Sequence, residues 1–213
     1  MLAAISSGCS VYKEHVPASD FYYHNPEKDI FAIGSVAVVE LNNKSNYPEI
    51  SADVTEAVFQ EMQKRQVFSL KVIDQIDPTW RSLQIDADSI YTLEQIISMR
   101  KTLDCDAVLT GTVTVYTPYP NLVVGLRLKL VDLSDGRLFW ALEQIWDSAD
   151  ETTQNRIESY IQSLKRTEFE TLREELVTVS SLRFFRFVAY EVAETIQSQN
   201  KGRKKLFFVV PTM

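Results

Sequence analysis

A chain of 213 residues, 45% hydrophobic and 24% charged, has the composition of an ordinary globular protein and the length of one well-filled domain or of a domain with appendages. Its 29 acidic residues outnumber its 22 Lys and Arg, and the resulting net charge of -7 excludes a nucleic-acid partner, because phosphate binding needs a basic face. Beyond the first residues no apolar run approaches the roughly 20 residues that span a bilayer.

The front carries a signal of its own. Ser6-Ser7-Gly8-Cys9, small residues ending in Gly-Cys after an apolar stretch, reads as the lipobox of a bacterial lipoprotein. Cys9 is then the lipidated first residue of the mature chain. The rest is expected to be a domain held at the periplasmic face of a bacterial membrane, the outer membrane by preference. A secretory signal has a basic start and an apolar stretch of about 7 to 15 residues. Only Met1 to Ile5 stand here, no Lys or Arg precedes Cys9, and Ser6 occupies a position that prefers Leu. Residues 1–9 therefore read as the remainder of a signal whose start lies upstream. The competing reading is a cytosolic binding protein with a chance Cys in a disordered end. Once Cys9 is acylated, Cys105 has no partner for a disulfide. In Leu103-Asp104-Cys105-Asp106-Ala107 it reads as a small buried hydrophobe.

Residues 10–30 mix Pro17, Pro26 and polar residues with Tyr12, Phe21, Tyr22 and Tyr23. They read as a tether that reaches about 65 Å when extended, at roughly 3.3 Å per residue. Its aromatics are too many for a pure spacer, so part of it is expected to lie against the domain. Ser35 to Leu41 is a near-continuous apolar run, the pattern of a central strand covered on both faces. After the loop Asn42 to Ile50, Ser51 is expected to cap a helix running to about Arg65, with Val54, Ala57, Val58 and Met62 on one face. Val67 to Ile73 is a second strand, and Asp74 to Ser89 a connection.

Thr92 with Gln95 forms a capping box that opens a helix striped by Leu93, Ile96, Ile97 and Leu103. In AVLTGTVTVY, Leu109, Val113 and Val115 alternate with Thr110, Thr112 and Thr114, predicting a strand with one buried and one solvated face. LVVGLRLKLVD alternates again, and a Ser134-Asp135-Gly136 turn leads into RLFWALEQIWD, so an antiparallel meander is expected. Asp150 to Val179 is polar and helical, but the five-residue step from Leu164 to Phe169 breaks its stripe. Two helices or a bend near Thr167 are expected, with part of the segment near Glu151 to Thr171 projecting. Ser181 to about Gln197, apolar around much of its circumference, is expected to be a buried helix. Residues 201–213 read as a frayed tail or a last strand, Leu206 to Val210.

Chemistry-bearing patterns are sparse. Six glycines form no phosphate loop, and the two histidines, His15 and His24, both fall in the tether. Asp104 with Asp106, and Asp132 with Asp135, flank strand ends and read as turn and cap residues rather than as an acid/base pair. No catalytic residue, metal ligand or cofactor site is assigned.

VAVVEL followed by an Asn-rich loop and helix, then DAVLTGTVTVY, then LRLKLVDLSDGRLFW, resembles a group of envelope proteins that share a small α/β module. The group comprises the amino-terminal domain of the Tol-Pal translocation protein, the curli secretion channel lipoprotein and the lipoprotein activators of penicillin-binding proteins. The matching positions are Asp106 to Val113 and Leu128 to Trp140, with Asp132, Gly136 and Trp140 in place, and the likeness covers about Ile33 to Trp146. It implies fold more than function. The membrane hairpins of a channel would need strands of about 9 to 11 alternating residues, and neither Asp74 to Ser89 nor Asp150 to Val179 supplies them.

These readings combine into one expectation. The fold is α+β (α/β-like), a mixed sheet of about five strands in the order β-α-β-α-β-β-β plus a carboxy-terminal helical pair. A core spans residues 31–147 and a helical extension residues 148–200. The function is that of a non-enzymatic envelope lipoprotein, a protein-interaction module in envelope assembly or secretion. It has an envelope protein partner of unknown identity, a membrane contact through its lipid, no nucleic acid, and homo-oligomerisation left open. Thr110, Thr112, Thr114, Asn42 and Asn43 are the expected partner surface. The alternative in a different class is an envelope glycan or peptide hydrolase that uses a carboxylate pair.

Overall fold

The structure is a computed structural model and describes residues 21–165 and 180–206. The lipobox with Cys9, residues 10–20, the bend expected near Thr167 and residues 207–213 lie outside the described residues. Among the described residues no helix is long and apolar enough to cross a membrane.

Seven strands form one mixed sheet: β1 (Tyr22–His24), β2 (Ser35–Val39), β3 (Asn42–Asn43), β4 (Ser69–Ile73), β5 (Ala107–Thr117), β6 (Val123–Asp132) and β7 (Leu138–Asp147). Their order is β1-β7-β6-β5-β2-β4, with β3 paired to β5. β2 runs parallel to both β4 and β5, with Val38 opposite Val72 on one side and Leu109 on the other. The expected meander is present as β5-β6-β7, antiparallel throughout. The two additions to the expected five strands are β1, from the tether, and the two-residue β3, from the loop after β2.

Two crossovers explain why β2 reads as continuously apolar. Helix α1 (Ile50–Arg65) carries the chain from β2 outward to β4, and helix α3 (Leu93–Leu103) carries it back past β2 to β5. Right-handed crossovers that run in opposite directions place their helices on opposite faces. Val36, Val38 and Leu109 accordingly pack with α1, while Ala37, Val39 and Val108 pack with α3. Both faces of β2 are covered, as an apolar strand requires.

Helix starts follow the sequence with one exception. The Thr92–Gln95 capping box is present at α3. Ser51, however, does not cap α1. That helix begins at Ile50 after Glu49, without a side-chain cap. The Ser51 hydroxyl instead donates to Glu40 (3.2 Å), and Thr55 Oγ1 accepts from the Leu41 amide (3.0 Å) while donating to the Ser51 carbonyl (2.6 Å). These hydroxyls tie the helix to the end of β2 instead of closing its first turn. The connection after β4 also holds a short helix, α2 (Pro78–Ser82), which buries Trp80.

Two carboxy-terminal helices complete the main core. On α5 (Ser181–Leu206) the residues Phe184, Phe185, Phe187, Val188, Val192 and Ile196 are buried, as their circumferential pattern predicted. The expected projection of the preceding helix is corrected over its described part. On α4 (Glu151–Lys165) the residues Thr153, Arg156, Ile157, Tyr160 and Ile161 are all buried. Tyr160 packs its ring against Phe187 and Tyr190, with centroids 5.8 and 4.9 Å apart. A stripe of this width has to be covered, and α5 covers it. α5 itself continues helical to Leu206.

Candidate functional site

On the sheet face opposite α1 and α5 cover is partial. α3 and the segment 83–92 lie over β2 and the adjoining ends of β5 and β6. Beside them remains a groove of about 680 Å³. Its floor follows from strand alternation: Leu126, Leu128 and Leu130 of β6 point into the core, so Arg127 and Lys129 point the other way, with Ala141 and Glu143 beside them on β7. One wall is Ala87 and Asp88. The other is the start of β1, where Tyr22 packs on the core side and Phe21 and Tyr23 face the groove, 71% and 47% exposed.

The inner wall is stapled to the sheet by a polar cluster. Asp88 accepts from Lys44 (2.5 Å) and Thr112 (2.7 Å), and Asp86 accepts from Asn42 (3.1 Å). Tyr91 donates to the Ala87 carbonyl (3.3 Å) and shares a hydrogen bond with Thr110 (3.0 Å). The Lys129 ammonium donates to the Ser89 carbonyl and lies 4.1 Å from the centre of the Tyr91 ring. Burial pushes the Tyr91 phenol up to about 12 and holds Lys129 below the usual lysine range, although Asp88 and Asp86 pull it upward. Burial also acts to raise Asp88, but Lys44 and Thr112 outweigh it and keep that carboxylate below its ordinary value.

The cluster corrects one expectation and absorbs another. Thr110 and Thr112 are 0% exposed, so they are no solvated sheet face. The segment after α2 folds back over them, and Tyr91 and Asp88 satisfy the hydroxyls that the alternation pattern had assigned to water. Thr114 falls at a bulge where the register between β5 and β6 shifts, and is half-buried. Asn42 joins the staple. Asn43 shapes its own loop, donating to the Tyr47 carbonyl (2.7 Å) and accepting from the Ser45 amide (2.8 Å). The structure thus brings Thr110, Thr112 and Asn42 together as the support of a wall, with Asn43 and Thr114 apart from it.

Acid–base character in the groove is muted. Arg127 and Glu143 pair across the floor at 2.6 Å, and this bond holds the Glu143 carboxyl below its usual range. Neither Asp88 nor Glu143 is therefore the proton-bearing acid that glycoside hydrolysis requires. The acid that burial does raise, Glu191 of α5, to about 7, sits 4% exposed on the other side of the sheet. Asp106 caps the start of β2 by accepting from the Ser35 amide (2.8 Å), and Asp132 and Asp135 share Lys28 (2.7 and 2.6 Å), in keeping with their reading as turn and cap residues. Cys105 is buried with its thiol on the Leu103 carbonyl (3.4 Å). Among the described residues no group of three or more His, Cys, Asp and Glu side chains is placed to hold a metal ion.

Sequence reasoning missed Phe21, Tyr23, Arg127 and Glu143. The signal for Arg127 was present in LRLKL, where every second residue is cationic. For Phe21 and Tyr23 it was the density of aromatics in a segment read as a tether.

No protein-family model matches the chain, and no curated protein matches it. Solved structures similar to it include the PelC dodecamer of Paraburkholderia phytofirmans, at 14% identity and a TM-score of 0.49 over 83% of this chain and 94% of that one. The lipoprotein GNA1162 of Neisseria meningitidis is 16% identical, with a TM-score of 0.45 over 64% of this chain and 99% of that one. The C-terminal domain of LpoB from Escherichia coli is 20% identical, with a TM-score of 0.38 over 56% of this chain and 87% of that one.

Proposed function

We propose that this chain is a non-catalytic protein-interaction module of the bacterial envelope, acting in assembly or secretion, and that the groove between β1 and the segment 86–91 receives its partner. The observation that carries the reading is the pair of exposed aromatics, Phe21 and Tyr23, at the rim of an apolar groove whose floor is rigid sheet and whose far wall is stapled. Exposed aromatics around a concave surface are what protein interfaces select, because they desolvate a large area with few rotatable bonds. Arg127 and Glu143 neutralise each other on the floor, and the Lys129 ammonium is turned onto the Ser89 carbonyl and the Tyr91 ring, so an apolar segment of a partner meets charges that already have partners there. The Gly8-Cys9 motif supports lipid anchoring at Cys9, with the module on the periplasmic side of the outer membrane.

A photo-crosslinking residue placed at Tyr23, in cells with native membranes, is expected to give a discrete adduct with an envelope protein. The same residue at Glu56, exposed on α1 across the sheet, should give none. No adduct from position 23, or the same adducts from both positions, would remove the groove as the partner site. Cleavage of an envelope glycan by the purified protein, lost on changing one Asp or Glu, would overturn the non-catalytic reading.

A further inference from the structure

β1 bears the aromatic wall of the groove. It is three residues long, lies at the sheet edge and pairs with β7 alone. Its last residue reaches past the sheet to α5. His24 Nε2 lies 2.7 Å from the Thr195 carbonyl oxygen and 3.2 Å from Ser198 Oγ. A carbonyl oxygen only accepts, so Nε2 carries the hydrogen and donates it, and in the neutral ring Nδ1 is bare. That Nδ1 is buried without a hydrogen-bond partner among the described residues. A second proton on the ring must sit there, as a charged donor that faces no acceptor in a site shielded from water.

We propose that His24 is a proton-operated latch on the groove: the neutral ring clamps β1 to α5, and the protonated ring releases the wall that carries Phe21 and Tyr23. This rests on the groove being the partner site, and it adds that acid regulates the site. Burial holds the imidazole below its ordinary 6.5, against the opposing pull of the Thr195 bond. The sign follows from linkage. A base with a lowered folded-state pKa contributes stability in full above 6.5, and that contribution is lost as the pH falls through the folded value.

Among the described residues, the charges on the elements packed against β1 are committed to other partners. On α5, Glu191 is paired with Arg156 and Glu194 with Arg65. On β7, Glu143 holds Arg127 on the groove side. After β1, Glu27 holds Arg137, and Lys28 bridges Asp132 and Asp135. Its own strand also carries two tyrosines, Tyr22 in edge contact at 5.4 Å between ring centres and Tyr23 facing the groove.

Hydrogen–deuterium exchange of the full chain tests this without a partner. After correction for intrinsic rates, the peptide covering residues 21–25 should exchange roughly tenfold faster at pH 5.5 than at pH 7.5, since each pH unit below a controlling pKa shifts the population about tenfold. In His24→Gln, whose amide still donates but does not titrate, the ratio should fall to about one. A flat wild-type profile, or the same ratio in both proteins, would overturn the latch while leaving the crosslinking result at Tyr23 to judge the groove separately. Should His24→Gln not fold, nitrogen-15 spectra of the wild-type ring decide. A bare Nδ1 and a midpoint below 6.5 support the latch, and hydrogen on Nδ1 or a midpoint above 6.5 refutes it.

Discussion

Glu191 offers the sharpest test of the energetics. Its side chain is 5% exposed in the core between α5 and α4, with Oε2 3.3 Å from Arg156 Nε, and Arg156 is itself only 10% exposed. Burial raises the carboxyl from 4.5 to about 7, although Arg156 and Trp146 pull it down, and Glu194 adds to the rise. The folded state therefore holds a proton that the unfolded chain gives up from 4.5 upward. Stability is full below 4.5 and is lost as the pH rises to about 7. At about 1.4 kcal/mol per pH unit that interval carries about 3 kcal/mol, of which about 2 to 3 kcal/mol falls between pH 5 and pH 8. Glu191→Gln keeps the shape of the protonated acid and removes the titration. Denaturant unfolding followed by circular dichroism should find the variant close to wild type at pH 5 and more stable by about 2 to 3 kcal/mol at pH 8. That gain corresponds to about 5 to 10 °C in Tm for a chain of this size. Other titrating groups cancel in the comparison. A variant that is less stable than wild type at pH 8 would refute the reasoning, since it would mean that the ion pair with Arg156 outweighs the cost of burying the charge.

Val38 is 1% exposed in the strand covered on both faces, so Val38→Asp buries a carboxylate with no partner and is expected to cost about 5 kcal/mol, near the whole stability of many domains. A soluble protein with a cooperative melt within a few degrees of wild type would contradict the placement of β2. Cys9→Ser should move the protein from the membrane fraction to the soluble periplasmic fraction, and retention in membranes would count against acylation at Cys9.

Legibility in the sequence tracked the range of the interactions involved. The meander was readable because Leu126, Leu128 and Leu130 alternate with Arg127 and Lys129, a period that the strand itself imposes. α3 was readable because Thr92 and Gln95 form their cap within one turn. β1 was not, since three residues show no period and owe their place to β7. Thr110 and Thr112 were misread for a related reason. Alternation separates polar from apolar but does not tell a hydroxyl facing water from one facing Tyr91 or Asp88, which arrive from 19 and 24 residues away. The groove exists only because the segment 83–92 returns over β5 while β1 closes the far side, and no local pattern records that meeting.

His24 and Glu191 place two opposed titrations on one helix. Thr195, which receives the His24 bond, lies one helical turn beyond Glu191 on α5. As the pH falls from 7, the Glu191 carboxyl takes its proton and the contact between α5 and α4 ceases to hold a buried negative charge, so the body of the domain gains stability. Over the same range the proton load on His24 works against the contact between α5 and β1. The two effects act on different neighbours of the same helix, so acid can loosen the edge strand without loosening the core. Local opening of this kind is drawn from the weakest-held elements of a fold. Here that element is the three-residue edge strand that presents Phe21 and Tyr23, so acid acts on the groove wall while the core is spared.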